Sequence, residues 1–281
     1  MSTTSRSATG AMTPVEPRTA WAQLPEPVRL AIEAETGPVH QIATINAGLN
    51  SAITATLHTT AGPVFVKGAR SERAAGQRRE ATINPHVVPI APRLLWQIET
   101  RGWHILGVEH LNGHPADLAP GSADLGAITT TLARLGRMAA PAECRPIEDR
   151  WADAARTTGV DVQLLAGDRL LHTDLNPHNI LVANDVARLV DWAWPTRGAA
   201  WVDTACAALW LIAEGHPPEA AETWAADNPA WADAMVDAID AFANISVVLW
   251  QQIANADPRP WKRDMHAAAR RWADYRATVQ T

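Results

Sequence analysis

Four polar residues in one short stretch have the types and the spacing to do chemistry together. His172, Asp174 and Asn179 read H-x-D-x-x-x-x-N, and Asp191 follows after two apolar runs. A loop carboxylate such as that of Asp174 can accept the proton of a hydroxyl nucleophile. Mg²⁺ prefers oxygen ligands, so Asn179 and Asp191 are candidate ligands of a single ion. The stretch predicts metal-assisted chemistry on a hydroxyl group.

The segment between Asn179 and Asp191 is typical of a β-hairpin. Residues 180–183 and 186–190 are mostly apolar, and Asn184 and Asp185 between them have turn chemistry. An antiparallel pair of this length returns the chain to its starting end, so we expect both polar side chains to finish there. A structural role would be the favoured interpretation of any one of these residues, but their combined spacing favours a functional site.

The stretch resembles the signature of the aminoglycoside phosphotransferase family, which comprises small-molecule kinases with the protein-kinase fold. The usual family form is H-G-D-x-x-x-x-N, then an apolar run, then an aliphatic residue, Asp and an aromatic residue. Thr173 and His178 stand here where glycine is common in the family. Both departures lie between the key positions.

The resemblance implies a role for each polar residue. Asp174 would be the catalytic base, and His172 would organise the loop through hydrogen bonds. Asn179 and Asp191 would hold Mg²⁺, and the phosphate donor would be ATP or, alternatively, GTP. Asp203 matches a further family Asp that supports the catalytic loop from the start of a helix.

A lysine at the end of an apolar strand extends the resemblance. Residues 64–66 are apolar and Lys67 follows them, between a glycine-bearing loop and the later motif. At this position the resemblance implies a lysine that holds the α- and β-phosphates. It needs a carboxylate partner from the helix predicted over 71–84. Glu80 is the expected partner, with Glu72 as its competitor.

Two loops are expected to contact the nucleotide through backbone groups. The first contains Gly48, Asn50 and Ser51 and resembles the G-x-S-N-type loop of the family, with Asn and Ser in reverse order. Its N–H groups are expected to cover the phosphates. The second has the E-x-L-x-G form of the family's hinge. Glu109 to Leu111 are expected to hold adenine there.

The order of elements predicts an α+β chain, and the resemblance to the phosphotransferase family implies a two-lobed, protein-kinase-like fold. Residues 1–17 are rich in Ser, Thr, Ala and Pro without an apolar core, which predicts a disordered tail. Residues 18–112 are predicted to form a nucleotide-binding N-lobe of antiparallel sheet plus helix. Residues 113–281 are predicted to form a larger, mainly helical C-lobe with the catalytic loop and the acceptor site.

Apolar periodicity and turn residues predict the individual elements. Strands are predicted over 41–45, 51–57, 64–67, 94–99, 103–110, 180–183 and 186–190. Helices are predicted over 25–37, 71–84, 122–139, 150–158, 203–214, 217–226, 229–254 and 260–278.

Composition limits the compartment and the class of partner. The 281 residues carry a formal net charge of −6, which gives no indication of the basic face that nucleic-acid binding requires. Cys144 and Cys206 are far apart and are expected to be free thiols in a reducing compartment. The chain shows no signal peptide and no apolar run long enough for a membrane span, so we expect a cytoplasmic protein. No obligate protein partner is evident.

The acceptor is expected to be a small molecule with a hydroxyl group. Only twelve positions separate Asp191 from Asp203, which leaves no room for the activation segment that supports a peptide substrate in protein kinases. The favoured function is transfer of the γ-phosphate to an aminoglycoside-type or related antibiotic. A metabolic kinase of a sugar or amino-alcohol remains an alternative, and so does a nucleotide-binding pseudokinase that acts as a partner protein.

The acceptor site is expected in the C-terminal helical part. Carboxylates there could bind the ammonium groups of an aminoglycoside, although a solvated helix face would look the same. The candidates are Glu214, Glu219, Glu222, Asp227, Asp233, Asp237 and Asp240. Trp210 and Trp250 could pack against a sugar, but core packing is the favoured interpretation.

Overall fold

The computed structural model describes residues 18–45 and 51–279, and within them it is an α+β structure. Its strands are β1 (Val39–Thr44), β2 (Ile53–Thr59), β3 (Gly62–Arg70), β4 (Leu94–Thr100), β5 (Trp103–Glu109), β6 (His114–Pro115), β7 (Arg145–Pro146), β8 (Arg169–Leu171), β9 (Ile180–Ala183), β10 (Val186–Leu189) and β11 (Thr196–Gly198). Its helices are α1 (Glu26–Thr36), α2 (Ala75–Val87), α3 (Leu125–Leu135), α4 (Ile147–Arg150), α5 (Ala152–Thr158), α6 (Val202–Ala213), α7 (Pro218–Ala226), α8 (Pro229–Ala232), α9 (Val236–Ala256) and α10 (Pro260–Val279).

The N-terminal part is built on an antiparallel five-stranded sheet in the order β1-β2-β3-β5-β4. Lys67 of β3 pairs with Thr54 of β2 and Leu106 of β5. Its neighbour Val66 packs in a core cluster with Ile32 of α1. Because alternate side chains of a strand point to opposite faces, Lys67 faces away from α1. The sheet therefore presents this lysine on the face opposite the α1 core.

Helices α6, α9 and α10 form the centre of the C-terminal part. Nearly the whole of α6 is buried. Phe242 of α9 and Trp272 of α10 are almost fully buried, with ring centroids 5.6 Å apart. Among the helices of the described residues, none has the length and hydropathy that crossing a bilayer requires. Cys144 and Cys206 are free thiols, which confirms that prediction.

The predicted tail over residues 1–17 lies outside the described residues. Several described elements differ from the predictions: the helix predicted over 122–139 spans only Leu125–Leu135, and the one predicted over 71–84 begins at Ala75 after a 3₁₀ turn. The helix predicted over 229–254 is divided into α8 and α9, with Met235 in an extended conformation between them. The side chain of Asn228 accepts a hydrogen bond from Ala230 N at the start of α8 and donates one to Thr204 of α6. This buried amide fixes α8 against α6, a tertiary contact that periodicity does not reveal. The two- and three-residue strands β6, β7, β8 and β11 are too short for a sequence pattern.

The hairpin of β9 and β10 forms with the register that the turn residues predict. Ala183 pairs with Val186, and Asn184 and Asp185 connect them with φ values of 50° and 59°. Two consecutive residues with positive φ are typical of the type I′ turn, whose twist matches that of the strands. The turn therefore determines how β10 returns toward Asn179.

Because Asp185 has positive φ, glycine should be better tolerated there than a β-branched residue. We expect Asp185→Gly to raise the free energy of unfolding by about 0.5 kcal/mol, and Asp185→Val to lower it by about 1 kcal/mol. Urea unfolding of the three proteins measures both. The reverse order of stability would contradict this turn geometry.

Candidate active site

A buried lysine connects three elements at the centre of the site. Lys67 of β3 forms an ion pair with Glu80 of α2, and its Nζ donates to Asp191 Oδ1 at 2.9 Å. The Lys67 side chain is only 9% exposed, so its charge needs these partners. The competitor Glu72 lies exposed in the 3₁₀ turn before α2. The carboxylate that contacts Lys67 is therefore that of Glu80.

The three charged groups shift one another's pKa. Burial alone would lower the pKa of the Lys67 ammonium, but Asp191 and Glu80 raise it above its ordinary value. The positive charge of Lys67 lowers the pKa of Asp191, against the effect of burial. Burial raises the pKa of Glu80, and Lys67 opposes this only in part. Lys67 and Asp191 thus form a charged pair at neutral pH.

A buried carboxylate holds the loop after β8 through hydrogen bonds to the loop backbone. Asp203, in the first turn of α6, accepts hydrogen bonds from the backbone N–H groups of His172 at 2.7 Å and Thr173 at 2.8 Å. Burial raises the pKa of Asp203, while His172 and the two N–H groups favour its ionised form. Asp203 therefore fixes the backbone of the residues that precede Asp174.

His172 connects this loop to the end of the hairpin. Its Nε2 donates to the carbonyl of Val190 at 2.9 Å, and its Nδ1 accepts from the N–H of Asp174 at 3.3 Å. The ring packs edge-on against Trp192 with 4.6 Å between centroids. Because Val190 precedes Asp191, the imidazole fixes the catalytic loop relative to the metal-ligand candidate.

Asn179 and Asp191 offer oxygen atoms in adjacent positions. The side-chain nitrogen of Asn179 donates to the carbonyl of Asp174 at 2.9 Å, so its amide oxygen is the atom that suits a ligand role. The backbone carbonyl of Asn179 accepts from Val190 N at 2.9 Å, which holds the two candidates at one end of the hairpin. Asp191 contributes a carboxylate at φ 63°. One amide and one carboxylate oxygen are a donor set that fits Mg²⁺.

Asp174 lies in the loop between β8 and β9. Its Oδ1 accepts a hydrogen bond from Asn176 Nδ2 at 3.1 Å. Asp174 also lines a cavity of about 280 Å³ that lies on the C-terminal part of the chain. Its carboxylate therefore faces a space that can hold a small molecule.

The two loops that are predicted to bind the nucleotide are only partly described. Gly48 and Asn50 lie outside the described residues, and the hydroxyl of Ser51 accepts from Gln77 Nε2 of α2 at 3.2 Å. Glu109 ends β5, and its N–H already donates to the carbonyl of Arg93 at 2.8 Å. The adenine contacts proposed for Glu109 to Leu111, and the lobe boundary after Asn112, stay predictions.

Arg150 is a site residue that sequence reasoning missed. Its guanidinium donates to the hydroxyl groups of Thr173 and Thr196 and lies over the ring of Trp194 at 5.4 Å. Thr173 has φ 63°, at a position where the family commonly has glycine. Arg150 stabilises this backbone through the threonine hydroxyl. Arg150 is distant in sequence from the loop that it contacts and belongs to no motif, so no local sequence pattern identified it.

The cavity beside Asp174 lies in the C-terminal helical part, where an acceptor site is expected, but the sequence did not specify most of the residues that line it. One wall is apolar and comes from α6 and α9. Its residues are Leu209, Trp210, Phe242, Leu249, Trp250 and Ile253. Trp210 belongs to the C-terminal core as predicted, yet both Trp210 and Trp250 also line this cavity. Helical periodicity indicated which helix faces are buried, but it could not distinguish residues packed in the core from residues that line a cavity.

No protein-family model and no curated protein matches the sequence, but solved structures do. Choline kinase LicA from Streptococcus pneumoniae aligns over 88% of this chain and 98% of its own, with a TM-score of 0.65 and 12% identity. An aminoglycoside phosphotransferase from Alicyclobacillus acidocaldarius aligns over 89% of this chain and 95% of its own, with a TM-score of 0.60 and 13% identity.

A GDP complex of aminoglycoside 2'-phosphotransferase-IIIa aligns over 90% of this chain and 98% of its own, with a TM-score of 0.57 and 11% identity. LicA is also similar in a complex with AMP. At these identities the similarity shows the fold. The chain has the α+β, protein-kinase-like fold of small-molecule phosphotransferases, as the sequence resemblance predicted.

We expect Asp203→Ala to lower the free energy of unfolding by at least about 2 kcal/mol, because it leaves two buried backbone N–H groups without an acceptor. Asp203→Asn retains one acceptor oxygen and should lose less. Guanidinium unfolding measures both variants.

A matched control for the Asp203 variants is Asp237→Ala, which also removes a carboxylate from the first turn of a helix but at an exposed position. It should change stability by less than about 1 kcal/mol, the usual size of a helix-dipole contribution. If Asp203→Ala and Asp237→Ala cost the same, Asp203 does not hold the loop.

Proposed function

We propose that the protein is a Mg²⁺-dependent phosphotransferase that moves the γ-phosphate of ATP to a hydroxyl of a small molecule. The observation that carries the proposal is the arrangement of Lys67, Asp174, Asn179 and Asp191. Hydrogen bonds join Asn179 to Asp174 and to Val190, the residue before Asp191, and an ion pair joins Lys67 to Asp191. Each offers the charge or the atom that phosphoryl transfer requires.

In this proposal the protein contributes position and charge. The Asp174 carboxylate orients the acceptor hydroxyl and takes its proton as the hydroxyl oxygen bonds to the γ-phosphorus and the bond to ADP breaks. Lys67, oriented by Glu80, binds the α- and β-phosphates. Asn179 and Asp191 would hold Mg²⁺, which neutralises phosphate charge when bound.

The donor is proposed to be a purine nucleotide. Structurally similar proteins have been solved with GDP and with AMP, which supports a nucleotide site without distinguishing ATP from GTP. ATP remains our proposal and GTP its alternative. The presence of all four polar residues favours an enzyme over a pseudokinase partner protein, because a pseudokinase typically lacks one of them.

A small acceptor is favoured over a protein. Of the positions between Asp191 and Asp203, 196–198 form β11 and Val202 begins α6. The strand pairs with β8, so the link is occupied by regular structure and offers no extended shelf for a peptide. An aminoglycoside-type antibiotic, a sugar and an amino-alcohol are the acceptor classes that the sequence resemblance suggests.

We expect Asp174→Asn to lower kcat by about 10²–10⁴-fold on the best acceptor, because the amide cannot take the hydroxyl proton. Nucleotide affinity should change little. Transfer of label from γ-labelled ATP to a panel of small alcohols, with protein serine and threonine residues as the competing acceptors, measures the activity.

The matched control for Asp174→Asn is Asp168→Asn, which alters a carboxylate whose side chain is 80% exposed just before β8. It should retain wild-type activity. Near wild-type kcat in Asp174→Asn would remove Asp174 from the mechanism, and label found only in protein would contradict a small acceptor.

We expect Asp191→Asn to abolish the Mg²⁺-dependent part of nucleotide binding, since it removes the charged metal ligand while asparagine tolerates the positive φ. Calorimetry with ATP, with and without Mg²⁺, gives the difference. Asp185→Asn alters an exposed carboxylate of the same hairpin and should bind as wild type does. If Asp191→Asn binds Mg·ATP with unchanged affinity, the metal assignment fails.

A further inference from the structure

The charges that line the cavity beside Asp174 constrain the acceptor. Among the described residues that line it, Asp174 is the only carboxylate and Arg150 is the only cation. Their formal charges cancel, so the cavity carries no excess negative charge. An acceptor with several ammonium groups would lose hydration on entry and gain little in return.

The carboxylates considered for ammonium binding lie elsewhere. None of the seven candidates on the C-terminal helices lines the cavity. Arg276 forms ion pairs with two of them, at 3.1 Å to Glu222 and 2.5 Å to Asp240. Glu222 also accepts from the indole N–H of Trp272 at 2.7 Å. These two therefore stabilise the packing of α7, α9 and α10.

The walls of the cavity are aromatic and aliphatic. Trp210 and Trp250 meet edge to face with 6.2 Å between ring centroids, and Trp151 lies 5.7 Å from Phe242. Trp194 lines the same space with 47% of its surface exposed. Indole and phenyl surfaces favour flat apolar ligands, because burial of ring surface is their main contribution to binding.

Arg150 does not turn the cavity into an anion site. Its guanidinium already donates to Thr173 and Thr196 and stacks on Trp194. Its positive charge lies close enough to the Asp174 carboxylate for an electrostatic interaction between the two groups. A cation that approached the hydroxyl position would meet this guanidinium. The arginine therefore acts against ammonium-bearing acceptors.

From these contacts we propose that the acceptor is a compact, uncharged alcohol whose body is an apolar ring, with its hydroxyl directed to Asp174. This proposal rests on the proposed phosphotransferase function and names its substrate class. The volume of about 280 Å³ lies just below the roughly 300–1,000 Å³ that is usual for ligand pockets, which suits a compact acceptor of one or two rings.

Matched pairs of alcohols that differ by one positive charge test the proposal directly. The first pair is 3-phenylpropan-1-ol and phenylalaninol, which adds an ammonium group to the same skeleton. The second pair is 3,3-dimethylbutan-1-ol and choline, which have the same shape. Calorimetry is done on the full chain, without nucleotide and with a non-hydrolysable ATP analogue and Mg²⁺.

We expect the neutral member of each pair to bind at least about tenfold more tightly. Equal or tighter binding of the charged member would overturn the proposal, and choline as the stronger ligand would indicate an aromatic cage for a quaternary ammonium. Absence of binding by both neutral alcohols, up to their solubility limit, would overturn it as well.

A substitution in the cavity wall tests whether the alcohol binds in this cavity. Trp250→Leu should weaken binding of 3-phenylpropan-1-ol about tenfold, because it removes ring surface from the cavity wall. Trp224→Leu is the matched control, since Trp224 is also partly buried against the C-terminal core but does not line the cavity. Equal effects of the two substitutions would show that the alcohol binds elsewhere and would overturn the proposal.

Phosphate transfer to the same four alcohols separates the two proposals. If phosphate is transferred only to phenylalaninol or choline, the proposal of a neutral acceptor is wrong, but the proposed phosphotransferase function stands. If the neutral alcohols bind tightly but phosphate is transferred to none of the four, the preference of the cavity for neutral alcohols is supported. The same result would count against the proposed phosphotransferase function.

Discussion

The buried ammonium of Lys67 is the constraint on which the arrangement of the site depends. A charge that is almost removed from water is stable only with partners at hydrogen-bonding distance. Its partners are Glu80 of α2 and Asp191, the second residue after β10, so three parts of the chain that are distant in sequence must meet. Arg79 of α2 adds a second link, since its Nε donates to the carbonyl of Ala193 at 2.7 Å. The sheet and the hairpin are thereby fixed relative to each other.

The loop between β8 and β9 is held in place for a different reason. Its backbone N–H groups are bound by Asp203, its imidazole by the carbonyl of Val190, and its threonine by Arg150. Thr173 and Asp191 both have φ 63°, a conformation that costs energy for residues other than glycine. Such residues persist where surrounding contacts hold them. Here Asp203 of α6 and Arg150 of α4 hold Thr173, and Lys67 of β3 holds Asp191.

The fold and the acceptor are determined by different parts of the molecule. Structures with this fold include proteins described as choline kinase and as aminoglycoside phosphotransferase, so the fold does not select one acceptor. In the proposed function, the wall of the cavity beside Asp174 selects the acceptor. In this chain that wall is provided by the tryptophans and aliphatic residues of α6 and α9, and the acidic side chains of the same region include a pair bound to Arg276.

The sequence by itself determined the hairpin after Asn179 and the set of polar residues around it, because these follow from short-range spacing and turn chemistry, and its resemblance to a known family implied the fold class. It also favoured Glu80 over Glu72 as the partner of Lys67, through a family pattern. Only the tertiary structure decided that Arg150 contacts the loop and that Trp250 lines a cavity. Such contacts join residues far apart in the chain, and the packing of helices, which local periodicity does not encode, brings them together.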